Sequence, residues 1–151
     1  VTDGAQLIVK GNTAKSSGGG FKLGAGYLKD KTPPLYLYVS NASLVVEDNN
    51  GRYAGGVYFR YAKADFRKSA VVQIHRNLGS GSGGGFRLQD YSHFIATEGT
   101  TAIFLENRSP YGAGIYYKSH SSVTFADRAF VELRKTLSIE GILFITLDLI
   151  R

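Results

Sequence analysis

A repeat that recurs four times along the chain is the feature that most restricts its fold. Each copy has an apolar residue, two variable residues and an Asn, followed by a Gly cluster and a short apolar segment. The last Gly of each cluster falls at positions 20, 56, 85 and 114, so the steps are 36, 29 and 29 residues. Regular steps of this size are typical of stacked, similar coils. The repeated turn motif comprises Asn12, Asn49, Asn77 and Asn107 together with Gly20, Gly56, Gly85 and Gly114.

Three short strands can be recognised in each coil. The segment after the Gly cluster alternates, so that Phe86 and Leu88, for example, share one face. A second apolar segment follows, displaced to residues 35–39 in the first coil, and a third leads into the Asn. Gly interrupts every candidate helix. The sequence therefore predicts an all-β fold, a right-handed parallel β-helix (solenoid) of about four to five coils with three short strands per coil.

The same alternation predicts which side chains form the core. We expect residues 1–151 to form a single β-helix domain, because the repeat and its apolar columns run through most of the chain. The longer first step implies an inserted loop near residues 29–34, and a degenerate fifth coil is expected with Thr136 in place of the Asn and Gly141 after it. The predicted core residues are Leu7, Val9, Phe21, Leu23, Leu44, Val46, Val57, Phe59, Val72, Ile74, Phe86, Leu88, Phe104 and Ile115.

The recurring Gly and Asn residues are interpreted as structural. The Gly clusters lack the spacing and the following helix of a nucleotide-binding loop, whereas a coil corner needs a residue that reaches positive φ. A Cβ at such a corner would also crowd the neighbouring coil. Asn tolerates left-handed conformations and caps its own turn. Stacked coils about 4.8 Å apart would let the amides form a ladder of hydrogen bonds, and ligand binding by that ladder stays open.

Two outward columns are predicted from the same register. The strand after the Gly cluster places Lys22, Tyr58, Arg87 and Tyr116 in one column, where cations and aromatic rings alternate and can make cation–π contacts. The strand before the Asn places Ile8, Val45, Gln73 and Ile103 in another. A contiguous apolar patch on an outer face is typical of a partner surface. We therefore predict that this second column is covered by another subunit or a neighbouring segment.

Composition narrows the function further. The net charge is +6, but the Lys and Arg residues are scattered, which disfavours nucleic-acid binding and is compatible with attraction to acidic polysaccharide. No segment approaches the length of a membrane span. The three histidines, His75, His93 and His120, occupy different offsets within their coils, so neither a metal site nor a cofactor is expected. Asn41-Ala42-Ser43 and Asn107-Arg108-Ser109 match the N-glycosylation acceptor pattern.

The repeat resembles that of the polymorphic outer membrane proteins, autotransporter adhesins with β-helical passengers whose hallmark pairs Phe-x-x-Asn with Gly-Gly-Ala-Ile. Phe104-Leu105-Glu106-Asn107 matches the first element, while Val9, Val46 and Ile74 replace the Phe in the other copies. The resemblance covers about residues 5 to 125. It implies a right-handed parallel β-helix, an extracellular or cell-surface location and adhesive or structural work, and it carries no catalytic residues to this chain.

We therefore expect a structural or adhesive module that belongs to a longer secreted or surface repeat protein, a filament subunit among the options. The absence of Met favours a processed or excised segment. The expected partners are further copies, neighbouring repeats or acidic glycans. The alternative is a carbohydrate-active enzyme, a polysaccharide lyase or hydrolase, or a glycan-binding domain on a β-helix. An enzyme of that kind needs acidic residues on one face, whereas Asp48, Asp65, Asp90 and Asp127 sit at different offsets.

Overall fold

The computed structural model describes residues 1–24 and 35–135, and the backbone of residues 137–140. All regular structure in these ranges is β-strand. The inserted loop near 29–34 and the degenerate coil at Thr136 and Gly141 lie outside the described residues. In chain order the strands are β1 (Gln6–Lys10), β2 (Thr13–Ala14), β3 (Phe21–Gly24), β4 (Leu35–Ser40), β5 (Ser43–Glu47), β6 (Asn50–Gly51), β7 (Val57–Arg60), β8 (Ala62–Arg67), β9 (Val71–His75), β10 (Leu78–Gly79), β11 (Phe86–Gln89), β12 (His93–Ala96), β13 (Thr101–Leu105), β14 (Arg108–Tyr111), β15 (Ile115–Tyr117), β16 (Ser122–Phe125), β17 (Phe130–Arg134) and β18 (Leu137–Glu140).

These strands form four parallel sheets that run along the stack. Sheet 1 has the order β1-β5-β9-β13-β17, sheet 2 the order β2-β6-β10-β14-β18, sheet 3 the order β3-β7-β11-β15, and sheet 4 the order β4-β8-β12-β16. Each strand therefore pairs with its counterpart one coil away, which is the arrangement of a β-solenoid. The all-β solenoid and its three strands per coil are confirmed.

Sheet 2 adds a strand that the sequence did not reveal. Four of its five members directly follow the Asn of their coil, and β2, β6 and β10 are only two residues long. Such short segments contain too few residues to show an alternating apolar pattern. Each coil therefore has a further strand at the corner that follows the Asn, and this strand is two residues long in β2, β6 and β10 and four in β14.

The register agrees with the predicted inner faces. Phe21, Val57, Phe86 and Ile115 are paired in sheet 3, and the two sheet 1 columns that begin at Leu7 and Val9 are paired in the same way. Of the predicted core, nine members have no exposed surface: Leu44, Val46, Val57, Phe59, Val72, Ile74, Phe86, Leu88 and Phe104.

The end coils depart from this prediction. Leu7 is 36% exposed, so its assignment to the core is wrong. It lies on β1, an edge strand of sheet 1, so only β5 pairs with its strand. Val9, Phe21, Leu23 and Ile115 pack against the core but are only partly buried, and they too lie on edge strands. A repeat pattern gives every coil the same inner face, whereas burial also depends on having a neighbour on each side.

Candidate functional site

The Gly corner is a site of close packing rather than of unusual backbone. None of Gly20, Gly56, Gly85 and Gly114 has a positive φ, so the conformational reason expected from the sequence is wrong. The expected crowding is present, since a Cβ on Gly85 would lie 2.7 Å from the carbonyl oxygen of Gly114 and 3.1 Å from Cγ2 of Ile74. Gly20, Gly56 and Gly85 are therefore required because the coils approach one another too closely there for any side chain.

The residue immediately before each Asn has a left-handed backbone conformation, whereas the Asn and the last Gly of each cluster do not. Asp48, Arg76 and Glu106 have φ values of 56°, 53° and 56°, and Gly11 has 68°. These four residues share no side-chain type, so composition gave no signal for them. Non-Gly residues rarely adopt this conformation, and the hydrogen bonds of the adjoining Asn help to hold it.

The Asn side chains form a continuous ladder. Oδ1 of Asn77 accepts from the backbone N of Asn49 at 3.1 Å and from its Nδ2 at 3.0 Å, while Nδ2 of Asn77 donates to Oδ1 of Asn107 at 3.0 Å and to the carbonyl of Val46 at 2.9 Å. Asn49 makes the same set of contacts. Each inner amide thus uses both N–H groups and two acceptor bonds. The ladder stabilises the corner and has no remaining capacity for a ligand at Asn49 and Asn77.

The two glycosylation sequons lie in opposite environments. Asn107 has no exposed surface, and its Nδ2, the atom that would carry a glycan, donates to the carbonyl of Ile74 at 2.7 Å. Asn41 lies on an exposed turn with a φ of 47°. In the folded protein only the Asn41 amide is open to a modifying enzyme.

The predicted partner column is assembled on the outer face of sheet 1. The pairing places Ile8 beside Val45, Val45 beside Gln73 and Gln73 beside Ile103. Ile8 is 54% exposed and the other three are half-buried. The outer column of sheet 1, as we call these four residues, is therefore a continuous, largely aliphatic stripe at the surface.

A shallow groove of about 360 Å³ crosses this face near β13. Ile103 and Leu105 lie on β13 between the longer side chains of the two neighbouring strands. The groove is lined by Gln73, His75, Arg76, Ile103, Leu105, Glu132 and Arg134. Sequence reasoning identified two of these residues, Gln73 and Ile103.

Opposite charges are paired along the edge of the same face. Nζ of Lys10 lies 3.0 Å from Oε1 of Glu47, and Arg76 contacts Oε2 of Glu47 at 2.6 Å and Oδ1 of Asp48 at 2.7 Å. The hydrogen bond from Lys10 lowers the pKa of Glu47, and the one from Arg76 lowers the pKa of Asp48. Both carboxylates are therefore ionised at neutral pH, and each faces a cation.

His75 lies beside this ion-pair network. Its Nε2 is 3.4 Å from Oε2 of Glu47, and its Nδ1 is buried without a hydrogen-bond partner. Burial, with a smaller contribution from Arg76, lowers the pKa of His75. The imidazole is therefore neutral at pH 7 and adds no charge to the groove.

The three histidines do not come together. Nδ1 of His93 contacts Oγ of Ser122 at 2.8 Å on sheet 4, and the ring of His120 stacks on Tyr91 at a centroid distance of 4.9 Å. Among the described residues no three or more His, Cys, Asp or Glu side chains are grouped for a metal ion. His120 occupies the coil position of Tyr91, and Tyr91 stacks in turn on Tyr61 at 6.3 Å. The sequence missed this corner stack because Tyr61 and Tyr91 stand at different offsets, five and six residues after Gly56 and Gly85, and a His replaces the Tyr in the next coil.

The acidic residues considered for catalysis are also separate. Asp48 pairs with Arg76, Asp65 with Arg67 at 2.7 Å, and Asp90 with Arg60 at 2.7 Å, each at its own corner or face. Asp127 lies on an exposed turn. A carboxylate that is held ionised by a cation is poorly suited to donate a proton as a general acid.

Comparison with known proteins adds no relative. The sequence matches no protein-family model, and no curated protein and no solved structure is significantly similar to the chain. The described residues include no helix of the length and hydropathy needed to cross a membrane. The functional conclusions therefore depend on the surface geometry of the solenoid.

Proposed function

We propose that this chain is a structural or adhesive β-solenoid module of a secreted or cell-surface protein, and that the outer column of sheet 1 docks another copy or a neighbouring repeat. The resemblance of its repeat to autotransporter adhesin passengers supports the location. The observation that carries the docking proposal is the aliphatic stripe of Ile8, Val45 and Ile103 on an outer face, with Ile8 54% exposed.

The electrostatics of this face favour docking. Lys10, Glu47, Asp48 and Arg76 neutralise one another along its edge, so a partner does not have to bury an unpaired charge. Burying an unpaired charge opposes association far more than burying a neutral apolar stripe. The groove beside Ile103 and Leu105 offers a recess into which an apolar side chain of the partner fits.

The test replaces Ile8, Val45 and Ile103 together by Thr. Thr keeps the β-branched shape that strands favour and removes apolar surface. We expect the parent protein to self-associate as its concentration rises, and the variant to stay monomeric, as measured by light scattering with size-exclusion chromatography.

A matched control replaces Tyr36, Tyr38 and Ile95 by Thr, since these residues face outward on sheet 4. The control should associate like the parent. Equal assembly of the parent and the sheet 1 variant would contradict docking through this face, and a parent that stays monomeric throughout would contradict docking of another copy.

A further inference from the structure

A second outer face carries a cluster of cations held among tyrosine rings. The guanidinium carbon of Arg87 lies 5.2 Å from the ring centroid of Tyr53, 5.4 Å from that of Tyr58 and 5.3 Å from that of Tyr116. Lys22 lies over Tyr58 at 5.5 Å, and Arg52 over Tyr53 at 5.6 Å. The cation–tyrosine cluster, as we call it, consists of Lys22, Arg52, Tyr53, Tyr58, Arg87 and Tyr116.

This cluster contains no negative charge. Within the described part of the chain, no carboxylate makes an ion pair with Lys22, Arg52 or Arg87. Nη2 of Arg87 donates to Oε1 of Gln89 at 2.8 Å, and its Nη1 donates to Ser82. Gln89 also donates a hydrogen bond to Asp90, but the Asp90 carboxylate forms an ion pair with Arg60, whose Nε lies 2.7 Å from Oδ2 of Asp90.

Arg87 is a buried cation whose hydrogen bonding is incomplete. It is 7% exposed, and its Nε has no hydrogen-bond partner. Aromatic rings attract a cation through their quadrupole but do not neutralise its charge. Burying a charge without a counter-ion is unfavourable, so the folded protein holds positive potential at this face that an anion from solution can offset.

The accessible part of the cluster suits an extended anion. Lys22 and Arg52 are exposed, and Tyr53 is 41% exposed, so two cations and part of one tyrosine side chain are available to a ligand. Lys22 and Arg87 are two strands apart in sheet 3, roughly 10 Å at the usual strand spacing. The positive charge is therefore spread over several coils instead of being focused on one point.

We propose that the cation–tyrosine cluster binds an acidic polysaccharide. Acid groups of the polymer contact Lys22 and Arg52, a sugar contacts the exposed part of Tyr53, and the buried Arg87 adds positive potential. The inference rests on the proposed extracellular role and names a ligand class for a face other than the docking face. Single-stranded nucleic acid fits less well, because it needs free ring faces for successive bases, and Tyr58 is only 6% exposed.

The test measures binding of polygalacturonic acid by isothermal titration calorimetry, with dextran as a neutral polymer. The variant K22E/R52E reverses two charges of the cluster. The control K68E/R128E makes the same change in net charge at two exposed turn positions, neither of which makes an ion pair within the described part of the chain. Thermal melting verifies that both variants are folded.

We expect the parent to bind polygalacturonic acid but not dextran, with binding that weakens as salt is added. K22E/R52E should lower the affinity by at least about tenfold, and K68E/R128E by no more than about threefold. Equal losses in the two variants would show a net-charge effect only and would overturn the proposal. Tighter binding of a single-stranded oligonucleotide than of the polysaccharide would also overturn it. Assembly measured on the same samples separates the two proposals, since K22E/R52E leaves the outer column of sheet 1 intact.

Discussion

Charged side chains are paired with opposite charges at the outer face of sheet 1, whereas Arg87 at the outer face of sheet 3 has no such partner in the part of the chain that the structure describes. On sheet 1, Lys10, Glu47, Asp48 and Arg76 form a closed ion-pair network with contacts from 2.6 to 3.7 Å. On sheet 3, Arg87 is surrounded by three tyrosine rings and makes no ion pair within the described residues. Both faces belong to the same stack, so the difference comes from side chains rather than from backbone.

Parallel register explains how such different faces arise. Each residue lies beside its counterpart one coil away, about 4.8 Å distant, so the composition of a column decides its electrostatics. Opposite charges alternate near the edge of sheet 1, and cations alternate with tyrosines on sheet 3. One face becomes neutral and apolar, while the other stays positive. That contrast is why we assign a protein partner to the first and an acidic polymer to the second.

The largest effect is expected in the aromatic core, where Phe94 lies between Phe86 of sheet 3 and Phe104 of sheet 1. Phe86 has no exposed surface, and its ring contacts Phe59 at 5.0 Å and Phe94 at 5.3 Å. Phe86→Ala should lower the free energy of unfolding by about 3–5 kcal/mol, measured by denaturant titration, and disturb both faces together. Phe130→Ala, at a side chain that is 56% exposed, should change it by only about 0.5 kcal/mol. A loss below about 1 kcal/mol for Phe86→Ala would place Phe86 outside the core.

The Asn ladder is expected to give the next largest effect, because it fixes the corner beside sheet 1. Asn77→Ala leaves the backbone N and the Nδ2 of Asn49 without their shared acceptor, and it removes the Nδ2 donor to the carbonyl of Val46. At roughly 1–3 kcal/mol for each unsatisfied buried group, the loss should be about 3 kcal/mol or more. Asn12→Ala is the matched control, since Asn12 is exposed and Asn49 keeps a backbone donor at 2.9 Å. Similar losses at the two positions would show that the inner ladder bonds add nothing.

A smaller effect is expected when the pH is lowered, because His75 of sheet 1 makes the stability of the folded protein depend on pH. Burial lowers the pKa of His75 in the folded protein, so folding favours the neutral imidazole. The stability that this contributes is fully present above the pKa of the unfolded chain, about 6.5, and is lost as the pH falls towards and through the lowered value. On sheet 3, burial raises the pKa of Tyr58, so this tyrosine stays neutral over the same range.

The check is to compare melting temperatures of the parent and His75→Gln from pH 7.5 to pH 5. The variant should lose less stability than the parent as the pH falls. His120→Gln, a change at an exposed side chain, should retain the parent's pH dependence. Parallel curves for the parent and His75→Gln would show that acid sensitivity does not come from this histidine.

Much of the fold could be predicted from the sequence because the repeat fixes a period. Spacing alone placed Phe86 beside Val57 and Ile8 beside Val45, and the structure confirms both pairs. The burial of side chains in the end coils could not be predicted from the spacing. Leu7 has the same place in its coil as Leu44, yet it is exposed because its strand lies at the edge of sheet 1.

The contacts at the two surface sites could be predicted only in part from the sequence. The column of Lys22, Tyr58, Arg87 and Tyr116 follows from the register, but the approach of Tyr53 comes from a corner outside the strands. The ion pairs of Arg76 depend on a left-handed backbone position that no residue type marks. Local alternation therefore predicts which side chains share a column, whereas contacts across corners require the folded backbone.

The central claim is that the two outer faces bind different partners. The most direct test measures assembly and polygalacturonic acid binding for both variants, the triple Thr change at Ile8, Val45 and Ile103 and the double change K22E/R52E. We predict that the first variant loses assembly and keeps binding, and that the second loses binding and keeps assembly. Loss of both properties in both variants, at unchanged melting temperature, would contradict the division between the faces.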